Sequence, residues 1–476
     1  MKKKKPNIHL VLIAVALALC IIGGIGAKLI VNDFGNVTVT TVSIPTQMGV
    51  LSGTLLVPDS ATNDNKAPAI VVSHGATSNS ESVDSWYVEL ARRGYVVLAP
   101  NMYEHGDSSL ADEEYADTAE YDARGLIDDI EYIYTLPFVD TEKIAIIGHS
   151  LGGCCSMKTA KYYSDLEREA LTNGATAEEA HSLNRVAACV TIGYPLEVKI
   201  DAMPSASSPD FEGYLCDLGV ILGKCDDFQS WMNKDFLTNE YGPRWLETQT
   251  GIVVEEVKEG EFYESESNGY VFAAWNPNEI HNANMISTKT TGYIVDFFDE
   301  VFGAPNPIDS NAQTWGWKMF FNVVGMIGMF LFIIPCLYYV LKIPVFQTLE
   351  RENTLVAVRK GTGLKYKENA EYFGFKTSWR EFARTMGLAA TVVGLTYGPI
   401  LFTGSPTFGC DGSNLILLAS AQSAIKLVSY FIPLGVTAFI HVKSQKYTGN
   451  IWTGALINAL LIAMITIGNC STAAAF

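Results

Sequence analysis

The chain has 476 residues, 48% of them hydrophobic, and a net charge of −18; it is too long for one ordinary domain, so two or more units are expected. Charge is unevenly spread: residues 32–317 hold 45 Asp and Glu against 15 Lys and Arg, whereas the flanking segments are basic. An acidic body with no basic stripe repels nucleic acid and argues against that class of partner.

Four lysines, Lys2 to Lys5, precede twenty nearly uncharged residues, 8–27, long enough to cross a bilayer. A cleaved signal peptide is the alternative. The stretch is long, no A-x-A-like site follows, and Leu19 is too bulky for a lipoprotein site at Cys20; a retained anchor over residues 1–31 is therefore expected. Residues 37–58 alternate β-branched and polar side chains around Gln47-Met48-Gly49, which predicts an antiparallel hairpin.

Short apolar runs follow at 67–75, 95–100, 143–148, 185–195, 218–223 and 269–275, and helical spacing at 82–94, 117–136 and 288–302. Strands alternating with helices predict a mainly parallel sheet covered on both faces, an α/β fold, over residues 37–303. The stretches 164–184, 196–214 and 228–262 exceed usual connection lengths. The last holds Trp231, Phe236, Tyr241 and Trp245, as a substrate lid or a packed surface insertion would.

A Pro-containing linker, 304–317, leads to a membrane region over 318–476 with apolar spans at 319–341, 385–403, 415–440 and 451–468. Residues 342–384 hold nine Lys and Arg against five Glu, and 404–413 hold neither base. Basic loops mark the cytoplasmic side, which predicts five spans, a cytoplasmic N-terminus and an extracytoplasmic acidic body. Trp315, Trp317, Tyr338 and Tyr339 fit interfacial belts. Lys426 interrupts the fourth span and either serves a pathway or faces the helical bundle. The nine cysteines show no zinc spacing; Cys154 and Cys155 read as packing residues, and Cys410 and Cys470 as a candidate pair near the outer membrane face.

The chemistry centres on Gly148-His149-Ser150-Leu151-Gly152, a G-x-S-x-G sequence between a predicted strand and a predicted helix. Such a turn is sharp and leaves the serine hydroxyl exposed above the sheet edge. A serine needs a base. Of seven histidines, His9 and His441 lie at or beyond membrane spans, and His74, His105, His149 and His181 precede any acid that follows the serine. His281 remains, after the last predicted strand; a solvent-facing loop histidine is the alternative. The orienting acid is Asp226 or its neighbour Asp227, directly after the strand at 218–223, with Asp226 preferred. The order Ser, Asp, His is that of one hydrolase architecture. The N–H of Leu151 and that of Ala76 are the candidate oxyanion donors.

Together these segments resemble the α/β-hydrolase superfamily, closest to its dienelactone-hydrolase-like and serine-peptidase-like branches. The resemblance covers residues 37–303 through "VVSHGA", "APNMYEHGDSS", "VDTEKIAIIGHSLGG", the Gly223-x-x-Asp226 turn and the late His281 with its helix. It implies a structural role for the loop at His105. Two departures stand out: Ala-Thr-Ser rather than further glycine after His74-Gly75, and a long span from Asp226 to His281. The expectation is a membrane-anchored serine hydrolase of esterase, lipase or peptidase type, acting on a small-molecule, lipid or peptide substrate and needing no metal or organic cofactor. An acyltransferase with the same triad, and a non-catalytic membrane sensor or transport component, are the alternatives.

Overall fold

The structure is a computed structural model describing residues 7–200, 206–226, 228, 230–340, 342–343, 355–360 and 363–368. Two compact units divide at Cys336.

In the first unit, α1 (Ile8–Val31) is apolar but for His9 and Lys28 near its ends and leads to the hairpin β1 (Val37–Pro45) and β2 (Val50–Pro58), which pair antiparallel with Val37 opposite Pro58. The apolar runs become β3 (Ala67–Ser73), β4 (Val96–Asn101), β5 (Val139–His149), β6 (Ala188–Ile192), β7 (Asp217–Ile221) and β9 (Val271–Trp275), with a short β8 (Phe262–Glu264). The sheet order is β1-β2-β4-β3-β5-β6-β7-β9-β8. Pairing is parallel from β4 to β9 and antiparallel at both edges. All seven residues of β3 are buried, as a strand covered on both faces requires.

Helices fill both faces. On one side α2 (Asp84–Arg92) and α9 (Thr288–Val301) pack Trp86, Val88, Leu90, Phe297 and Phe298 against the sheet. On the other lie α3 (Ala119–Asp122), α4 (Leu126–Tyr134), α5 (Leu151–Thr172), α6 (Ala177–His181), α7 (Ser230–Asn233) and α8 (Tyr241–Thr250). Ile130, Met157, Phe236 and Trp245 join one apolar cluster there. α10 (Trp315–Val340) is the second helix that is, like α1, long and apolar enough to cross a membrane. The two meet at Gly23, where an added Cβ would lie 2.6 Å from the Gly325 nitrogen, the close approach small residues permit between apolar helices.

Several expectations are corrected. The helix expected over 117–136 is broken between α3 and α4, where Arg124 and Gly125 take φ of 54° and 89°. A side chain at Gly125 would collide with Leu51 at 2.8 Å and Tyr103 at 2.9 Å, so tertiary packing overrides local helical preference. The long connection expected from 164 is largely helix, because α5 continues to Thr172. Within 228–262, Phe236 and Trp245 are fully buried, so these two side chains pack as core. The described cysteines are all free, and Cys154 and Cys155 are buried.

In the second unit, β10 (Leu355–Lys360) and β11 (Gly363–Glu368) form an antiparallel pair inside the segment read as a basic loop. The spans expected at 385–403, 415–440 and 451–468, with Lys426, Cys410 and Cys470, lie outside the described residues.

Candidate active site

β5 ends at His149 and α5 begins at Leu151, so Ser150 is the whole of the turn. Its backbone takes φ 54° and ψ −119°, a region that non-glycine residues rarely occupy and that stores strain at functional sites. The glycines around it are there for space. A Cβ on Gly148 would lie 2.2 Å from the Gly152 carbonyl, and one on Gly152 would lie 2.4 Å from the His74 oxygen. The Ser150 N–H donates to the Ile192 carbonyl at 2.8 Å, which ties the turn to β6.

His281 opens a short 3-10 turn, His281–Ile286, after β9. Its Nε2 lies 2.8 Å from Ser150 Oγ and its Nδ1 2.8 Å from Asp226 Oδ2. A carboxylate only accepts, so Nδ1 carries the proton and Nε2 is free to accept the serine hydroxyl. Asp226, 1% exposed, lies just beyond β7, and its Oδ1 accepts the Phe228 N–H at 2.8 Å. The structure thus brings Ser150, His281 and Asp226 into one hydrogen-bonded chain. Asp227 lies outside the described residues.

Three further histidines surround this chain, and their roles were not legible in the motif. His149 Nε2 lies 2.9 Å from the His281 carbonyl oxygen; the carbonyl only accepts, so His149 donates and holds the backbone of the candidate base. Burial, reinforced by the neighbouring His281, lowers the His149 pKa to about 3, so the ring is neutral. His74 is also buried, and burial lowers its pKa to about 4. Its Nδ1–H donates to the Gly75 carbonyl at 2.7 Å and its Nε2 accepts the Met102 N–H at 3.2 Å. His105 Nε2 accepts the Thr77 N–H at 3.3 Å while its Nδ1–H donates to the Tyr103 carbonyl at 2.9 Å.

His74 and His105 therefore hold the loop 74–77 beside the serine. A Cβ on Gly75 would lie 3.3 Å from Ser150 Cβ. Ala76 follows immediately and is exposed, and Leu151 heads α5, where the first N–H groups have no intrahelical acceptor. The only sequence signal for these supporting roles is position: x in G-x-S-x-G, and the two His-Gly pairs after strands. Among the described residues no three His, Cys, Asp or Glu side chains are grouped as metal ligands would be.

Residues 51–197 match the family model described as the dienelactone hydrolase family. The nine-stranded body has the α/β-hydrolase fold. That match ends before Asp226 and His281. Uncharacterized proteins of Mycobacterium tuberculosis and Mycobacterium bovis are each 35% identical to this chain over 99 residues, 21% of its length and 26% of theirs; the matched stretch thus spans about a quarter of those relatives. Among solved structures, an esterase of Pyrococcus furiosus is 14% identical with a TM-score of 0.38, covering 56% of this chain and 93% of its own. Esterase 2 of Thermogutta terrifontis, phosphorylated by paraoxon, is 15% identical with a TM-score of 0.37, covering 57% and 96%.

Proposed function

We propose that this protein is a serine hydrolase held at a membrane by α1 and α10, with its hydrolase domain (37–303) outside the cytoplasm and its substrate an acyl ester, amide or thioester. The observation that carries the reading is the Ser150–His281–Asp226 chain, with 2.8 Å at each link. His281 Nε2 takes the proton as Ser150 Oγ attacks the acyl carbon, and Asp226 holds the tautomer and stabilises the imidazolium that forms. The negative charge that develops on the carbonyl oxygen meets the N–H groups of Leu151 and Ala76, at a helix N-terminus that favours anions. The imidazolium then protonates the leaving group, and water, deprotonated by the same histidine, resolves the acyl-enzyme.

The anchoring part of the reading rests on the length and apolar character of α1 and α10, and its orientation on Lys2 to Lys5 and the basic segment 342–384. A fluorophosphonate probe tests the chemistry directly. The full-length protein is expected to become labelled at Ser150 and the Ser150→Ala variant to remain unlabelled. Equal labelling of the two would remove the nucleophile and the reading with it. For orientation, an impermeant thiol reagent is expected to reach a cysteine placed within 404–413 from outside intact cells, and one within 352–371 only after the membrane is opened.

A further inference from the structure

α10 does not leave the hydrolase domain at a loose tether. The N–H groups of Thr314 and Trp315, at its start, donate to Glu89 Oε1 at 2.6 and 2.9 Å. One turn later Lys318 Nζ donates to Asp84 Oδ2 at 2.7 Å, Glu81 Oε2 at 2.8 Å and the Tyr87 hydroxyl at 3.1 Å. α10 therefore runs back along α2, from its C-terminal to its N-terminal end, and continues as apolar helix from there. Lys318 is only 5% exposed, and a buried ammonium held by two carboxylates and a hydroxyl is a fixed joint, since pulling it away from them would leave it buried and uncompensated.

The N-terminal end of α2 also grips the segment that bears the base. Ser85, next to Asp84, donates its hydroxyl to the Met285 carbonyl at 2.6 Å. From the other side, Gln313 Nε2 donates to the Thr288 carbonyl at 2.7 Å, and Gln313 Oε1 accepts the Trp315 indole N–H at 2.7 Å. The turn His281–Ile286 is thus pinned at its end to the point where α10 departs. Six residues at about 2 Å rise make it about 12 Å long, so His281 is no more than about that far from the pinned Met285. Ile280, just before the turn, and Ile286, its last residue, are 55% and 56% exposed, which puts apolar surface beside the base in an otherwise acidic body.

We propose that the active site draws its substrate laterally from the bilayer, and that this substrate is a lipid-like acyl ester whose carbonyl lies at the membrane interface. The proposal rests on the serine-hydrolase and membrane-anchor reading above. Trp317, 58% exposed at the junction, is of a residue type that settles at the headgroup level, so the pinned turn meets the interface rather than bulk water. A neutral amphiphile moving in the leaflet reaches Ser150 past the two isoleucines. Ser150 Oγ then forms the new acyl bond, the ester C–O bond breaks, and the alcohol leaves with the proton carried by His281.

The test uses the full-length protein in phosphatidylcholine vesicles and a two-chain lipid bearing a fluorophosphonate in place of its ester, which does not exchange between vesicles. Ser150 Oγ displaces fluoride from phosphorus, so the P–O bond forms as P–F breaks, and labelling needs no turnover. Probe in the same vesicles is expected to label Ser150 at least tenfold faster than probe held in separate vesicles. A water-soluble short-chain fluorophosphonate serves as the control for the nucleophile. Labelling by the soluble probe but not by the co-resident lipid probe, or equal labelling from both vesicle populations, overturns lateral access while leaving the hydrolase reading intact. Labelling by neither overturns the hydrolase reading, and the proposal falls with it.

Discussion

Asp226 and Asp129 are both buried carboxyls in the same domain, 1% and 0% exposed, and they differ in everything else. Asp226, beyond the end of β7, accepts from His281 and from the Phe228 N–H. Asp129, on α4, has no hydrogen-bond partner on either oxygen among the described residues. Burial and the adjacent Asp128 push its pKa well above the usual carboxylate range. A buried carboxyl with partners is held ionised and can orient a base; one without partners keeps its proton, because the charged form is the costly one. The same residue type is thus held by two hydrogen bonds at one position and pushed to keep its proton at the other.

The contrast breaks most sharply on the paired side. Ser150→Ala removes the group on which the chain converges, and kcat is expected to fall by about 10⁶, measured on any ester the wild type turns over. Asp226→Asn cannot hold the required tautomer of His281 and is expected to cost about 10⁴ in kcat. Asp227→Asn is the comparison that sharpens this: a loss under about tenfold is expected, and a loss matching that of Asp226→Asn would move the orienting role one residue along.

A smaller effect is expected one step out from the chain. His149 donates to the His281 carbonyl and touches no reacting atom. His149→Phe removes one neutral hydrogen bond, worth about 1 kcal/mol, and is expected to lower kcat by about fivefold with the shape of its pH profile unchanged. His149 stays neutral above about pH 4, since its own pKa is lowered to about 3; a lost or displaced acid limb in the variant would mean that this ring titrates in the profile.

The parts legible in the sequence are those whose cause is local. The strand, turn and helix around Ser150 need only five consecutive residues, because the glycines that permit the turn sit beside the serine. Chain order narrows the candidate acid to two adjacent residues and the candidate base to one of seven histidines. What the sequence hid depends on distant partners. The break at Gly125 answers to Leu51 and Tyr103. The burial of Lys318 depends on Glu81, Asp84 and Tyr87, more than 200 positions away. A lysine preceding an apolar run reads as a flank, and nothing in its neighbours along the chain shows that it is a joint. β8 is three residues long, too short for any periodicity to register.

On the unpaired side, the effect falls on stability and not on turnover, and its sign follows from the direction of the shift. Asp129 in the folded state holds its proton to a higher pH than it does unfolded, where a carboxyl titrates near about 3.9. Below that value both states are protonated and the folded state carries no penalty. As pH rises above it, the unfolded state loses the proton first, so stability falls by up to about 1.4 kcal/mol per pH unit until the folded carboxyl also ionises. Asp128, pushed up to about 6 by burial and by Glu120 and Glu131 nearby, adds a loss of the same sign between about pH 4 and 6. Asp129→Asn keeps the shape and removes the titration. The variant is therefore expected to melt no higher than the wild type at pH 4 and above it at pH 7, by several degrees at about 2–4 °C per kcal/mol for a domain of this size, with the fluorophosphonate labelling rate unaltered. A melting difference that is the same at both pH values would show that Asp129 does not titrate across this range, and the contrast with Asp226 would then be one of position alone.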